Sequence, residues 1–153
     1  MSSKHLHFMS KAFEQAKTAY IKGEVPVGAV IVLDGRIIGT GHNQVIQNNS
    51  VSAHAEIIAI EMAGKHQSNY RLPEAIMYST LEPCHMCAKA IIDARIKTLF
   101  FGAFEPKTGS LASIDNFFEK PHLNHFVEIK CGLMEKESRN LMQKFFLEKR
   151  LKS

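Results

Sequence analysis

In the segment IMYSTLEPCHMCAKAIIDARIKTLFF, residues 76–101, Ile76 to Thr80 reads as a strand, Cys84 to Ala94 as a helix and Lys97 to Phe101 as a second strand. On its N-terminal side, Val27 to Leu33 is β-branched and apolar, Asp34-Gly35 is a strong hairpin turn, and Arg36 to Gly41 returns as a strand. Before that hairpin, Leu6, Met9, Phe13, Ala16 and Tyr20 recur at spacings of three and four. They mark one face of a helix over residues 6–20, which Gly23 can end. Residues 42–52 are polar and read as a loop, and Ala53 to Lys65 reads as a helix with Ile57, Ile60 and Glu61 at helical spacing. On the C-terminal side, Gly102, Pro106 and Gly109 mark a loop of functional length over residues 102–116. Phe126 to Lys130 is a short strand. Met134 to Leu151 is a long helix with Leu141, Phe145 and Leu147 on or near its buried side.

Helices and strands that alternate after an initial hairpin predict an α/β fold of three layers. A mixed sheet of about five strands lies between helices on both faces. No linker, internal repeat or low-complexity stretch interrupts the pattern, so residues 1–153 are expected to form one domain.

Composition narrows the class. Apolar residues at 45% and charged residues at 22% exclude a disordered tail or a collagen-like repeat. Nineteen Lys and Arg against 15 acids give a net charge of +4, which suits an anionic partner such as nucleic acid and is also found in ordinary enzymes. The longest apolar run, Val25 to Leu33, is broken by Pro26 and Gly28 and is too short to cross a bilayer. The N-terminus leads into amphipathic sequence with no apolar signal core. Three cysteines, Cys84, Cys87 and Cys131, cannot make a disulfide framework. A reducing cytoplasm is the expected setting.

His54-Ala55-Glu56 and Pro83-Cys84-His85-Met86-Cys87 each stand at the start of a predicted helix, where side chains and free backbone N–H groups can converge. One imidazole and two thiolates suit zinc, and three protein ligands leave a fourth tetrahedral position for water, the mark of a catalytic site. Zinc held in this way brings the pKa of its water to about 7. Glu56 follows the histidine by two residues, so on a helix it points away from it. It is better placed to hold the metal's water and pass a proton to a substrate nitrogen than to act as a ligand. Taken alone, a Cys-x-x-Cys pair is more often half of a structural zinc site or a redox pair, and a lone histidine is more often a satisfied core residue. His-x-Glu about thirty residues upstream of Pro-Cys-x-x-Cys is the spacing of zinc deaminases. Cys131 could close the site as a fourth ligand, but a small buried hydrophobe is the expected role. His85, between the two thiolates, is not expected to ligate.

These two motifs resemble the cytidine deaminase superfamily. The wider text is similar to the bacterial tRNA-specific adenosine deaminases in family order over about residues 6–150. The stretches that carry the likeness are Glu24-Val25-Pro26-Val27-Gly28-Ala29-Val30, Ala53-His54-Ala55-Glu56-Ile57, Asn69-Tyr70-Arg71-Leu72, Thr80-Leu81-Glu82-Pro83-Cys84, Phe101-Gly102-Ala103, Lys107-Thr108-Gly109 and Asn124-His125. The resemblance implies a cytidine deaminase-like fold and conversion of wobble-position adenosine to inosine in a tRNA, an arginine tRNA first. It implies one zinc ion per subunit on His54, Cys84 and Cys87, with zinc hydroxide attacking C6 of adenine. Glu56 would protonate N1 and then the departing ammonia, the general zinc-deaminase scheme of which this family is itself an example.

Further roles follow from the same resemblance. Asn43 matches an asparagine that hydrogen-bonds the target nucleotide, and the Ala55 N–H lies where the family grips the base edge. Glu105 matches an aspartate that contacts the neighbouring ribose. Lys107 and Thr108 match a loop along the anticodon, and Phe145 matches an aromatic beside the target. Read without the family, Lys107 is a solvated charge and Phe145 is core packing. The resemblance also implies a homodimer whose two subunits touch one tRNA anticodon stem-loop, with no membrane partner. Ser50-Val51-Ser52 replaces the family's Asp-Pro-Thr, Gln44 and Phe104 stand where arginines are common, and Ala112 replaces a glycine. None of these changes touches the metal or proton-transfer residues.

Two other functions compete. The same metal site could deaminate a free nucleobase or nucleoside of guanine or cytosine type. A zinc-stabilised RNA-binding subunit without catalysis is the non-enzymatic reading, against which Glu56 argues, since a structural site needs no carboxylate there.

Overall fold

A computed structural model describes residues 2–152. Its strands are β1 (Gly28–Leu33), β2 (Arg36–His42), β3 (Ile76–Leu81), β4 (Thr98–Ala103) and β5 (Glu128–Cys131). Its helices are α1 (Ser3–Ile21), α2 (Val45–Asn48), α3 (Ala55–Gln67), α4 (His85–Asp93) and α5 (Glu135–Lys152). The strands lie in the order β2-β1-β3-β4-β5. β1 is antiparallel to β2 and β3, whereas β3, β4 and β5 are parallel, so the sheet is mixed as the hairpin and the alternation predict. The hairpin turn is Asp34-Gly35, with φ of 51° and 76°, the positive pair that a two-residue turn between twisted strands requires.

Alternation along the strands divides the core. Ala29, Ile31, Met77, Leu99 and Phe101 pack with Ala55, Ala59 and Ala63 of α3 and with Ala88, Ile91 and Ile92 of α4. Val30, Val32, Tyr78 and Phe100 face the other way, against Phe8, Met9 and Ala12 of α1 and Leu133 just before α5. Helices α3 and α4 thus cover one face, and α1 and α5 the other. The result is the expected three layers.

The helix faces differ from the ones periodicity predicts. On α1 the buried residues are Phe8, Met9, Ala12, Ala16 and Ala19, while Leu6 is 49% exposed. On α3 the sheet side is Ala55, Glu56, Ala59 and Ala63, and Ile57 and Ile60 are only half-buried. The reason is close approach: a Cβ on Gly41 of β2 would lie 2.2 Å from the Ala55 carbonyl oxygen, so no large side chain fits between strand and helix. Leu147 on α5 is also half exposed, whereas Phe145 is buried. The polar loop over 42–52 contains the four-residue helix α2. Cys131 is exposed, not core, because it ends the edge strand β5, none of whose residues is buried.

Candidate metal centre and the loops beside it

Two helix starts make the site. His54 is the N-cap of α3 and Cys84 the N-cap of α4; both have extended backbone, and neither uses its side chain to cap. An N-cap position normally holds Ser, Thr, Asp or Asn, whose oxygen satisfies a first-turn amide. For α3 that duty passes to Asn43, whose Oδ1 accepts from the Ala55 N–H at 2.8 Å. The imidazole and the thiol are left to face each other. α4 follows β3 through Glu82-Pro83, so its first turn, with Cys84 and Cys87, sits at the C-terminal end of a central strand.

His54 Nδ1 lies 3.4 Å from Cys87 Sγ and 3.6 Å from Cys84 Sγ, and the three donor atoms all lie within 4.8 Å of one another. Zinc bonds of about 2.0–2.1 Å to nitrogen and about 2.3 Å to sulfur put such atoms about 3.6 Å apart around one tetrahedral ion. The donor set therefore fits zinc in both chemistry and spacing. Cys131, on an exposed edge strand, does not belong to the group, and His85 Nε2 instead pairs with Asp115 at 2.9 Å.

The electrostatics favour a bound cation with an acid beside it. A hydrogen bond with Cys87, helped by His54, holds the Cys84 thiol down at about 4, so Cys84 is a thiolate at neutral pH. The same bond, and then burial, push the Cys87 thiol up, and the Cys84 contact raises His54. Glu56 is buried in the first turn of α3, and that burial pushes its carboxyl up to about 7. A group with a pKa there can both take and give a proton at neutral pH.

A loop flanks the centre on each side, and each is tied to a buried carboxylate. Glu24, 2% exposed, accepts from the Ile46 and Gln47 amides at 3.1 and 2.8 Å and so caps α2 within the first loop. Glu82, also 2% exposed, accepts from the amides of Glu105, Leu111, Ala112 and Ser113 at 2.8–3.1 Å and from the Ser113 hydroxyl. Burial alone would raise the Glu82 carboxyl. The Ser113 hydroxyl and these amides outweigh it and hold the group below the usual carboxylate range.

Residues 2–103 match the family described as the cytidine and deoxycytidylate deaminase zinc-binding region, a span that contains all three donors. A tRNA-specific adenosine deaminase from Agrobacterium fabrum is 48% identical over 145 residues, covering 95% of this chain and 95% of the relative. The chain belongs to the tRNA-specific adenosine deaminase family. A solved structure from work on A-to-I editing by tRNA deaminases at the wobble position has a TM-score of 0.86 at 47% identity, covering 88% of this chain and 98% of that one. A guanine deaminase from Nitrosomonas europaea shares the fold with a TM-score of 0.77 at 20% identity, over 92% of this chain and 83% of that one. The fold alone therefore does not separate these chemistries. The cofactor is the family's zinc, and among the described residues His54, Cys84 and Cys87 form the group that can hold it.

Family membership gives the other positions a frame. Asn43 and Ala55 adjoin the metal group and bond each other, so the Asn43 carbonyl oxygen is already engaged. Glu105 accepts from the Lys107 amide at 3.0 Å, and Lys107 and Thr108 stand exposed at the tip of the second loop. Phe145 is 6% exposed, with its ring edge-on to Tyr20 between α5 and α1. With Tyr20, Glu148 and Lys149 it lines a hollow between the two helices. Of the departures from the family pattern, Phe104 is 40% exposed and packs edge-on to Phe101, and Ala112 gives its amide to Glu82.

Sequence reading assigned no role to Glu24, Glu82 or Asp115. Asp115 accepts from His85 and pairs with Lys120 at 2.9 Å, which ties the end of the second loop to α4. The available signal for the two glutamates was a lone charge within two residues of a proline in apolar text, Glu24-Val25-Pro26 and Leu81-Glu82-Pro83.

Proposed function

We propose that this protein hydrolytically deaminates adenosine at the wobble position of a tRNA anticodon to inosine, with an arginine tRNA as the first substrate to test. The observation that carries the reading is the pairing of an open three-donor metal group with a buried acid, Glu56, on the same helix turn. The family's tRNA-specific members, close in sequence over nearly the whole chain, supply the substrate class.

In this reading His54, Cys84 and Cys87 hold the zinc ion and Glu56 handles the protons. When bound, zinc supplies a Lewis acid that makes water a competent nucleophile near pH 7. The Glu56 carboxylate takes a proton from water, delivers it to N1 of adenine, and passes a second to the amino group that leaves as ammonia. One water is consumed: its oxygen bonds to C6, its two protons are the ones Glu56 carries, and the C6–N bond breaks, so that the water oxygen remains as the carbonyl of inosine. Asn43 fixes the start of α3 by accepting the Ala55 N–H, which spends that N–H and leaves the side-chain NH2 of Asn43 to meet the extruded nucleotide. Lys107 and Thr108 on their exposed loop suit the phosphates of an unpaired anticodon, with Glu105 beside them for a ribose. For Phe145 we assign a supporting role through the α1–α5 packing.

We further read residues 1–153 as a single zinc-dependent deaminase domain acting in the cytoplasm as a homodimer on the anticodon stem-loop. No helix among the described residues is long and apolar enough to cross a membrane. The exposed Tyr70, which lines one shallow hollow with the half-buried Ile60, supplies an apolar surface suited to a second copy.

The decisive assay compares turnover of an anticodon stem-loop bearing wobble adenosine with turnover of free adenine, adenosine, guanine and cytosine. Inosine in the RNA, and no reaction of the free compounds, is the expected result. Activity confined to the free compounds would overturn the reading. Glu56→Ala is expected to keep zinc and RNA binding while losing about 10²–10⁴-fold in rate, as removal of an acid–base group does. Unchanged turnover would remove Glu56 from its role.

A further inference from the structure

The second flanking loop has no regular structure between Phe104 and Asn116, yet it has one fixed internal point. Donors from Glu105, Leu111, Ala112 and Ser113 converge on the two oxygens of Glu82. Gly109 lies flat against the same carboxylate: a Cβ there would sit 2.3 Å from Glu82 Cδ and 2.4 and 2.5 Å from its oxygens. The loop therefore folds around a single buried anion whose partners here are neutral donors, as short loops do around a bound oxyanion. The next residue extends the grip, because the Pro83 carbonyl accepts both the Ser110 amide, at 3.0 Å, and the Ser110 hydroxyl, at 2.8 Å. One residue further on, Cys84 begins the metal group.

We propose that Glu82 is the positioning residue for RNA recognition, setting the conformation in which the loop offers Lys107 and Thr108 and fixing that loop to the metal centre through one dipeptide. The proposal rests on the RNA reading above. Glu82 does not touch substrate: it lies 2% exposed beneath the loop, whereas Lys107 and Thr108 are exposed on top of it. Its carboxylate determines how far the exposed tip stands from the site where the base is held. Gly109, in the Lys107-Thr108-Gly109 stretch, is required because only a residue without Cβ lets the loop close on the carboxylate.

The test measures steady-state deamination of an anticodon stem-loop carrying wobble adenosine, binding of the same labelled RNA, and zinc content. It uses the zinc-loaded full chain with Glu82→Gln, Gly109→Ala and Ser113→Ala. Glu82→Gln replaces one acceptor oxygen by a donor, and Gly109→Ala pushes the loop off the carboxylate without altering it. Both are expected to raise KM and the RNA dissociation constant about tenfold, with kcat within about threefold and zinc content at the wild-type ratio. Ser113→Ala, which removes one donor of five, is expected to shift KM by about two- to threefold.

Unchanged KM in Glu82→Gln and Gly109→Ala would overturn the proposal. So would loss of zinc and kcat at constant KM, which would make Glu82 a support of the metal group alone. Should Glu82→Gln fail to fold, Gly109→Ala carries the same decision. A wild-type chain that ignores the stem-loop and deaminates a free base refutes the RNA reading itself, before any variant is compared.

Discussion

The loops on either side of the metal group are built on one plan and held with different force. In the first, residues 43–52, Glu24 accepts two amides of α2, and the helix supplies hydrogen bonds of its own. In the second, residues 104–113, no helix or strand satisfies the backbone, and Glu82 accepts five donors in its place. A backbone removed from water must find partners somewhere. Where local structure supplies them the buried charge has a light task, and where it does not the charge becomes the organising centre. The lightly held loop carries Asn43, which caps α3 beside the metal group. The tightly held loop carries the exposed cation Lys107.

The largest expected effect tests this difference directly. Glu82→Ala should cost about 3–5 kcal/mol, since several loop amides lose their acceptor at once. Glu24→Ala should cost about 1–2 kcal/mol, the loss of one helix cap. Urea unfolding of the two variants measures both, and equal losses would abolish the comparison. Gly109→Ala should cost about 1–3 kcal/mol through overpacking against the carboxylate. Its counterpart in the first loop, Asn49→Gly, relieves a left-handed residue at φ 48° and should leave the unfolding midpoint unchanged or slightly raised.

Acid should distinguish the loops by a smaller margin. His85, then Lys120 and the Asn116 amide, hold the Asp115 carboxyl well below the usual carboxylate range. A depressed carboxylate contributes stability above its ordinary value, near 3.8, and loses it as pH falls through the folded value. Proteolytic cleavage around residues 110–116 should therefore rise at pH 3 more than cleavage in 43–52. Asp115→Asn should show the raised cleavage already at pH 6. Equal acid sensitivity of both loops would mean that this ion pair adds nothing.

Much of the architecture was legible because large signals coincide. The hairpin turn Asp34-Gly35, the apolar strand runs and the spacing of His54, Glu56, Cys84 and Cys87 each have few alternative readings. The helix faces were misread for a physical reason. Periodicity weights Leu6, Phe13, Ile57 and Ile60 because they are large, whereas the sheet-facing stripes of α1 and α3 consist mostly of alanine, chosen by lack of space. Glu24 and Glu82 were passed over because charge reads as surface, and only the three-dimensional convergence of amides reveals a buried anion. A free cysteine in apolar surroundings reads as core, and the position of Cys131 on β5 at the sheet edge decides otherwise. Phe145 reads in the sequence either as packing or as an aromatic beside the target nucleotide, and in the fold its ring meets Tyr20.

The alanine stripe on α3 has a consequence for the chemistry. Ala55 and Ala59 press on Gly41 and Gly39, where a single added carbon would meet helix backbone at 2.2–2.4 Å. The seat of the histidine-bearing helix on the sheet is therefore gauged by missing atoms as well as by the imidazole–thiol contacts at the centre. A methyl group introduced on β2 would act as a shim, lifting the histidine-bearing helix away from the cysteine-bearing one. Dilation of that kind would detune the metal while leaving every ligand, and every residue of both signature motifs, unchanged.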